Sequence, residues 1–204
     1  LKAFDLALRL RPGWKEAGVG RATALERLHR PAAALEAIDM ALAVDPDDGE
    51  ALAIRGRVLD ALGRHDEAAE AHEKSIALLP DTPAGLVARA RANIALNRYE
   101  QALADAEEAL RLEADADADA HFVRAAALRG MGRLEEQLEA LGSALALGMS
   151  GTAIRHARAV ALHELGHLDE AAAAYDEILA NDPDNARARF DYSHLILYRG
   201  DYER

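Results

Sequence analysis

The sequence has no cysteine and very few aromatic residues, and both shortages narrow what the chain can be. Of its 204 residues none is cysteine and 4% are aromatic, whereas 50% are hydrophobic. A disulfide framework and thiolate chemistry are therefore excluded, which is compatible with a reducing compartment. Because large rings are scarce, any core must be built from Ala and Leu between closely packed elements.

Long hydrophobic runs and recognisable leader sequences are also missing. No stretch approaches the ~20 apolar residues that cross a membrane, so we expect no membrane contact and a cytoplasmic location. The formal net charge is −12. Since phosphate binding needs an unopposed basic surface, this charge disfavours nucleic acid as a partner.

What the sequence does contain is an internal repeat, which is clearest at residues 49–82. Leu52 and Gly56 lie on one helical face, Gly63 interrupts that helix, and a second apolar face ends at Pro80. This pattern predicts two antiparallel helices joined by a tight turn.

Small residues and prolines keep the same register along the whole chain. Counted from the start of each unit, position 8 holds Ala22, Gly56, Ala90, Ala125, Ala159 and Ser193. Position 32 holds Pro12, Pro46, Pro80 and Pro183, and the turn at position 15 holds His29, Gly63, Asn97, Gly132, Gly166 and Gly200. Frames that coincide in this way do not arise by chance, and they predict a repeat array.

The registers place one array over residues 1–204. It comprises a partial repeat at 1–14 (second helix only), full repeats at 15–48, 49–82, 83–117, 118–151 and 152–185, and a partial repeat at 186–204 (first helix and turn). The interrupted terminal repeats indicate a fragment of a longer protein. Residues 113–120, EADADADA, should form a solvated connection that absorbs one extra residue.

Small residues at positions 8, 20 and 27 with proline at position 32 resemble the tetratricopeptide repeat (TPR). The resemblance implies an all-α fold, a right-handed α-solenoid of stacked helix-turn-helix hairpins with about twelve helices and no strand. In this family the first helices line a concave groove that holds a protein segment, and the second helices form the convex back. Because solenoids normally need polar capping helices, we also expect some end-to-end self-association.

The resemblance also implies which residues face the groove, at positions 2, 5, 9, 12 and 13. From these positions we select a candidate partner-binding set of cations, rings and one aliphatic residue: Arg57, Arg91, Phe122, Arg129, His156, Val160, His163, Phe190 and His194. The first helices are net positive within an acidic chain, which favours an acidic or amphipathic protein segment as the partner. Arg57, Arg91 and Arg129 should form a cationic stripe beside Phe122. The alternative is that each is an ordinary packed or solvated side chain.

A second set of arginines recurs at position 7, where the family normally has leucine at the seam between repeats. Its members are Arg21, Arg55, Arg89, Arg124 and Arg158. We expect their aliphatic stems to pack and their guanidinium groups to bind carboxylates or helix ends.

One motif invites a catalytic interpretation, because HELGH at residues 163–167 matches the zinc-binding pattern HExxH. That chemistry requires both histidines on one continuous helix, one turn apart. Gly166 occupies the predicted turn, so we expect no metal here. Phosphate loops, nucleophile elbows and dinucleotide fingerprints are absent, and we expect neither cofactor nor catalysis within these residues.

The end of the sequence carries a further resemblance. The lysine and asparagine clamp of chaperone-binding members is absent at position 6, where Ile54 and Ala88 are found. Residues 195–202 resemble the helix that joins such arrays to glycosyltransferase domains in bacteria, including proteins that modify flagellin. The array would then recruit an acceptor protein for glycosylation. The alternative is a free-standing scaffold or secretion chaperone with no enzyme attached.

Overall fold

A computed structural model describes residues 1–112 and 117–199, and within them α-helices joined by short turns are the regular secondary structure. Twelve α-helices and no strand are found there: α1 (Lys2–Leu10), α2 (Lys15–Arg27), α3 (Pro31–Val44), α4 (Gly49–Ala61), α5 (His65–Leu78), α6 (Pro83–Ala95), α7 (Tyr99–Leu112), α8 (Ala118–Gly130), α9 (Leu134–Ala146), α10 (Thr152–Glu164), α11 (Leu168–Asn181) and α12 (Ala186–Arg199). The prediction of an all-α helical repeat array is confirmed. Residues 113–116 of the acidic connection and the predicted turn at residues 200–204 lie outside the described residues. The expectation of a solvated connection is wrong for residues 118–120, which begin α8 and include the buried Ala120.

The even-numbered helices are the first helices of the repeats, and each begins at the residue where the sequence places a repeat start. Local chemistry explains several of these starts. Asp48 Oδ1 accepts a hydrogen bond from the Ala51 backbone N–H at 3.0 Å, and Thr82 Oγ1 accepts one from the Gly85 N–H at 3.2 Å. Such caps satisfy N–H groups that have no partner inside the helix.

The turn at position 15 has the same backbone geometry in all five described repeats. Glycine has φ of 72 to 80° at three of these turns, and His29 and Asn97 adopt φ of 53° and 57° at the other two. The following N–H bonds a carbonyl five residues earlier, for example Arg64 N to Leu59 O at 2.9 Å. This is the Schellman arrangement, which ends a helix by using a left-handed residue.

Two compact units make up the chain, Leu1–Ala109 and Leu110–Arg204. In the first, α2 packs against α3 and α4 against α5, and α4 also contacts α6. Its core is aliphatic, with Leu25, Ile38 and Val58 among alanines. In the second, α8 packs against α9 and α10 against α11, and α12 contacts both α10 and α11. The core there surrounds Tyr175, which is fully buried.

Small residues allow the helices of a hairpin to cross closely, as the sequence predicts. At Gly56 of α4, an added Cβ would lie 2.5 Å from the ring of His72 on α5. Ala68 and Ser75, at the two other small positions of that repeat, are buried in the hairpin. The array is thus held by close backbone approach and aliphatic packing.

Candidate functional site

In the first unit the predicted groove cation Arg57 already has a partner. Its Nε and one terminal nitrogen donate to the two carboxylate oxygens of Glu26, both at 2.9 Å. This two-pronged pair joins α4 to α2 and compensates the charge of Arg57. Arg91 lies half-buried on α6. The cationic stripe that would link these residues to Arg129 of the second unit stays a prediction.

Three of the position 7 arginines bind carboxylates, as predicted. Arg21 Nε donates to Asp5 at 2.8 Å, and Arg55 Nε donates to Asp39 at 2.8 Å. Arg89 instead binds Asp105, with its closer contact at 2.7 Å, together with Asp81. The structural interpretation of these three arginines is confirmed.

The second unit contains an open pocket of about 290 Å³ that collects several predicted groove residues. It is lined by residues from four helices: Arg129, Val160, His163, Glu164, Tyr175, Arg187, Asp191 and His194. We call it the groove pocket. Four of these eight belong to the candidate set derived from the sequence. Phe122 is half-buried on α8 and does not line the groove pocket.

Two further predicted residues support the walls of the groove pocket. His156 on α10 is buried, and its Nε2 donates to Asp191 Oδ2 on α12 at 2.7 Å. Phe190 is exposed, and its ring lies 4.5 Å from the ring of His194, centroid to centroid. His156 therefore positions the carboxylate of Asp191, while Phe190 extends the pocket with an apolar surface.

Tyr175 of α11 contributes the most deeply buried part of the pocket lining. The residue is 0% exposed, its ring stacks on Tyr192 at 5.7 Å, and its hydroxyl oxygen has no hydrogen-bond partner in the described structure. Burial, reinforced by the negative charges of Asp191 and Glu164, raises the pKa of Tyr175 to about 12. The hydroxyl is therefore neutral at physiological pH and has a proton to donate.

The groove pocket is lined by groups of both charge signs, but its nitrogen donors make fewer contacts than its carboxylates. Arg129 approaches Glu164 only to 3.7 Å. Arg187 and His163 have no hydrogen bond or ion pair with any described residue. Asp191, in contrast, already accepts from His156. An incoming acidic group would thus meet free donors.

The histidines of the HELGH motif lie on different elements. Helix α10 ends at Glu164, Gly166 adopts φ of 80°, and His167 precedes α11, where its Nδ1 donates to Glu170 at 3.2 Å. The prediction that Gly166 interrupts the helix is confirmed. In the described part of the chain, no group of three or more His, Cys, Asp or Glu side chains is placed to hold a metal ion.

Sequence reasoning missed four pocket residues, of which Asp191 stands at position 6, outside the positions selected for the groove. Arg187 and Glu164 occupy positions 2 and 13, which the family places in the groove, so the positional rule alone would have found them. Tyr175 stands at position 24, on a second helix, where the apolar face predicts core packing. The residue does belong to the core, and it also lines the pocket. Nothing in the sequence distinguishes a tyrosine that lies in the core and also lines a pocket from one that is only buried in the core.

Paired helices with a tight turn at a constant repeat position define a helical-hairpin repeat protein. Sequence profiles described as tetratricopeptide repeat match residues 19–83 and 87–152, and a second such profile matches residues 152–195. The chain belongs to the tetratricopeptide repeat family. Membership indicates protein–protein interaction with a peptide or protein partner as its general function, and this repeat fold is generally non-enzymatic.

Solved structures of other proteins share the fold. TTC0263, a thermophilic TPR protein of Thermus thermophilus, is 29% identical, with a TM-score of 0.73 over 90% of this chain and 99% of that one. YrrB, described as having an unusual peptide-binding site, is 19% identical, with a TM-score of 0.54 over 94% and 98%. A human IFIT1 dimer with PPP-AAAA is 16% identical, with a TM-score of 0.81 over 98% and 51%. No curated protein sequence matches the chain.

Among the helices of residues 1–112 and 117–199, none is long and apolar enough to cross a membrane.

Proposed function

We propose that the chain binds an acidic segment of a partner protein in its groove, and that the groove pocket of the second unit receives one acidic side chain of that segment. The observation that carries this proposal is the buried, unpartnered hydroxyl of Tyr175 in the pocket lining. Leaving a buried polar group unpaired costs about 1–3 kcal/mol. A ligand oxygen that accepts from this hydroxyl would remove that cost.

The pocket groups that have no ion-pair partner indicate that the ligand is negatively charged. Arg187 and His163 have no described partner, and Arg129 is only loosely paired. A carboxylate is the side-chain group that all three can bind, together with a neutral tyrosine hydroxyl. Phe190 and Val160 would contact apolar residues beside the acidic one, which is why an amphipathic segment fits best.

A synthetic peptide array followed by a binding measurement tests the proposal. Amphipathic peptides with Asp or Glu at one central site are compared with the same peptides carrying Asn, Gln or Lys there. The strongest binder is then titrated against variants by fluorescence anisotropy. A charge-assisted contact contributes about 1.5–3 kcal/mol, so Arg187→Gln should weaken binding about tenfold or more.

Arg189→Gln is the matched control. Arg189 lies on the same helix two residues away, is exposed, and pairs with the exposed Asp184 at 3.4 Å. The Arg189→Gln variant should bind the acidic peptide as tightly as the wild type does. Equal loss in both variants, or equal binding of the acidic and neutral peptides, would reject the pocket as the binding site.

The stripe predicted from the sequence has its own test in the same assay. Replacement of Arg57, Arg91 or Arg129 by Glu should weaken binding at least tenfold, whereas Glu70→Lys and Glu107→Lys on second helices should change it much less. Arg57→Glu also places a carboxylate against Glu26, so retained helicity and melting temperature are required for each variant.

A more specific role is suggested by residues 195–202, which resemble the helix that ends such repeat arrays just before bacterial glycosyltransferase domains. In this proposal the groove holds an acceptor protein, flagellin being one candidate class, for an attached enzyme. The alternative is a scaffold or secretion chaperone without an enzyme. The reading frame beyond Arg204 distinguishes them, because a nucleotide-sugar-binding α/β domain there supports the first and an early stop codon the second.

Exposed apolar residues on the terminal helices also support self-association. Leu10 on α1 is exposed, as are Leu197 and Tyr198 on α12. We expect light scattering to show association at high concentration, and Leu10→Glu or Leu197→Glu to reduce it. A strictly monomeric wild type would contradict this part of the proposal.

A further inference from the structure

Two further pockets, which share no lining residue with the groove pocket, occupy the same repeat positions in the two units and differ in charge. The α4 pocket, of about 330 Å³, is lined by Asp39, Arg55, Glu67, Glu70 and Lys74, among others. The α10 pocket, of about 390 Å³, is lined by Leu145, Met149, Ser150, Arg155, Arg158 and Glu177, among others. Three carboxylates face two cations in the first, whereas two arginines face one carboxylate in the second.

In the α4 pocket the position 7 arginine is neutralised from within the chain. Arg55 Nε donates to Asp39 Oδ1 at 2.8 Å. Asp39 lies sixteen residues earlier, on the second helix of the preceding repeat. The same spacing joins Arg21 to Asp5 at 2.8 Å. In these two repeats a carboxylate at position 25 is the internal partner of the arginine at position 7, whereas Arg89 pairs with Asp105 and Asp81.

The α10 pocket has the arginine but lacks that carboxylate. Sixteen residues before Arg158 stands Gly142, on α9, which packs against α10 as α3 packs against α4. Nothing lies within 4 Å of the position that a Cβ of Gly142 would occupy. Glu177 pairs with Arg155 at 3.3 Å, and Arg158 has no hydrogen bond or ion pair with any described residue.

We propose that the α10 pocket binds a carboxylate of a partner protein, an Asp or Glu side chain, at the place that Asp39 fills in the α4 pocket. Leu145 and Met149 line the pocket for the apolar part of such a segment, and Ser150 adds a hydroxyl donor. A single carboxylate fits better than a phosphate group, because Glu177 in the same pocket repels a second negative charge. The α10 pocket shares no lining residue with the groove pocket, so it is a second contact site.

The test observes the arginine side chains directly by NMR of their Nε–H groups in the whole chain. The probe is N-acetyl-L-aspartate methylamide, with inorganic phosphate as the comparison. We expect the aspartate probe to shift the Arg158 signal saturably while the signal of Arg55, whose site Asp39 fills, stays in place. An unmoved Arg158 signal, or a stronger response to phosphate than to the aspartate probe, would overturn the proposal.

Two substitutions at one position supply the matched control. Gly142→Asp restores the internal carboxylate, so it should shift the Arg158 signal by itself and reduce probe binding at least tenfold. Gly142→Asn has nearly the same size without the charge and should leave probe binding within about twofold of wild type. Equal probe binding by both variants would contradict the proposal.

The converse substitution opens the α4 pocket. Asp39→Gly removes the partner of Arg55, and the Arg55 signal should then respond to the aspartate probe as Arg158 does in the wild type. Arg158→Gln should abolish saturable binding at the α10 pocket. Persistent saturation of the neighbouring backbone signals in Arg158→Gln would show that another group binds the probe and would reject the assignment.

Discussion

His156 and Asp191 join helices α10 and α12 through a 2.7 Å hydrogen bond, and the imidazole is buried. Asp191→Ala should therefore leave a buried ring nitrogen without a partner, which costs about 1–3 kcal/mol of unfolding free energy. Urea denaturation measures the change. Asp184→Ala is the comparison, because Asp184 is 97% exposed in its pair with Arg189 and should contribute close to nothing. If both substitutions changed the unfolding free energy equally, the buried His156–Asp191 pair would stabilise the protein no more than the exposed pair does.

Tyr175→Phe should separate stability from binding. The hydroxyl is buried without a partner, so its removal should leave the unfolding free energy unchanged or raise it by up to about 1 kcal/mol. The acidic peptide selected on the array should nevertheless bind about tenfold more weakly. Urea denaturation measures the unfolding free energy and fluorescence anisotropy measures the peptide affinity, both on the same preparation. A large loss of stability with unchanged affinity would mean that the hydroxyl serves the fold and not the ligand.

The raised pKa of Tyr175 should also make the folded protein less stable at alkaline pH. Burial raises the pKa of Tyr175 to about 12 from the ordinary value of 10.0. Between these values the unfolded chain has lost the proton and the folded chain has kept it, so stability falls as pH rises from about 10 to 12. Tyr175→Phe should lose less stability than wild type across this window. Parallel stability curves for the two proteins would contradict the raised pKa.

Two glycines within helices should respond to alanine in opposite directions. At Gly56 the new Cβ would lie 2.5 Å from the buried ring of His72, so Gly56→Ala should cost about 1–3 kcal/mol by overpacking. At Gly142 no atom lies within 4 Å, so Gly142→Ala should stabilise the protein by about 0.5–1 kcal/mol through helix propensity. Thermal unfolding measures both. Destabilisation by Gly142→Ala would show that space at this position is needed for another reason.

His29 adopts a backbone conformation that favours glycine, with φ of 53°. His29→Gly should therefore stabilise the protein by roughly 1 kcal/mol, because a left-handed residue with a Cβ is strained by about that amount. The reverse change, Gly63→Ala at the same repeat position with φ of 72°, should destabilise by a similar amount. A lower melting temperature for His29→Gly would indicate that the exposed imidazole makes a contact worth more than the strain.

Much of the fold could be predicted because each repeat encodes it locally. Helical periodicity, a turn residue every 34 or 35 positions and small residues at close crossings placed the first helices at their observed starts. His29 and Asn97 were recognised as turn residues by register, although their own side chains do not favour the left-handed region as glycine does. Of the nine residues selected by the family's positional rule, Arg129, Val160, His163 and His194 line the groove pocket and the other five do not.

The periodic elements can be predicted from the amino-acid sequence, because hydrogen bonding within helices and apolar spacing depend on neighbours a few residues apart. The sequence by itself did not determine which charges remain free, because that depends on pairs far apart in the chain. Only the tertiary structure shows Arg57 held by Glu26, thirty-one residues away, and Arg158 without the carboxylate that Arg55 has. Coulomb attraction and desolvation act over a few ångströms of space, so packing between repeats decides which arginine stabilises the array and which can bind a partner.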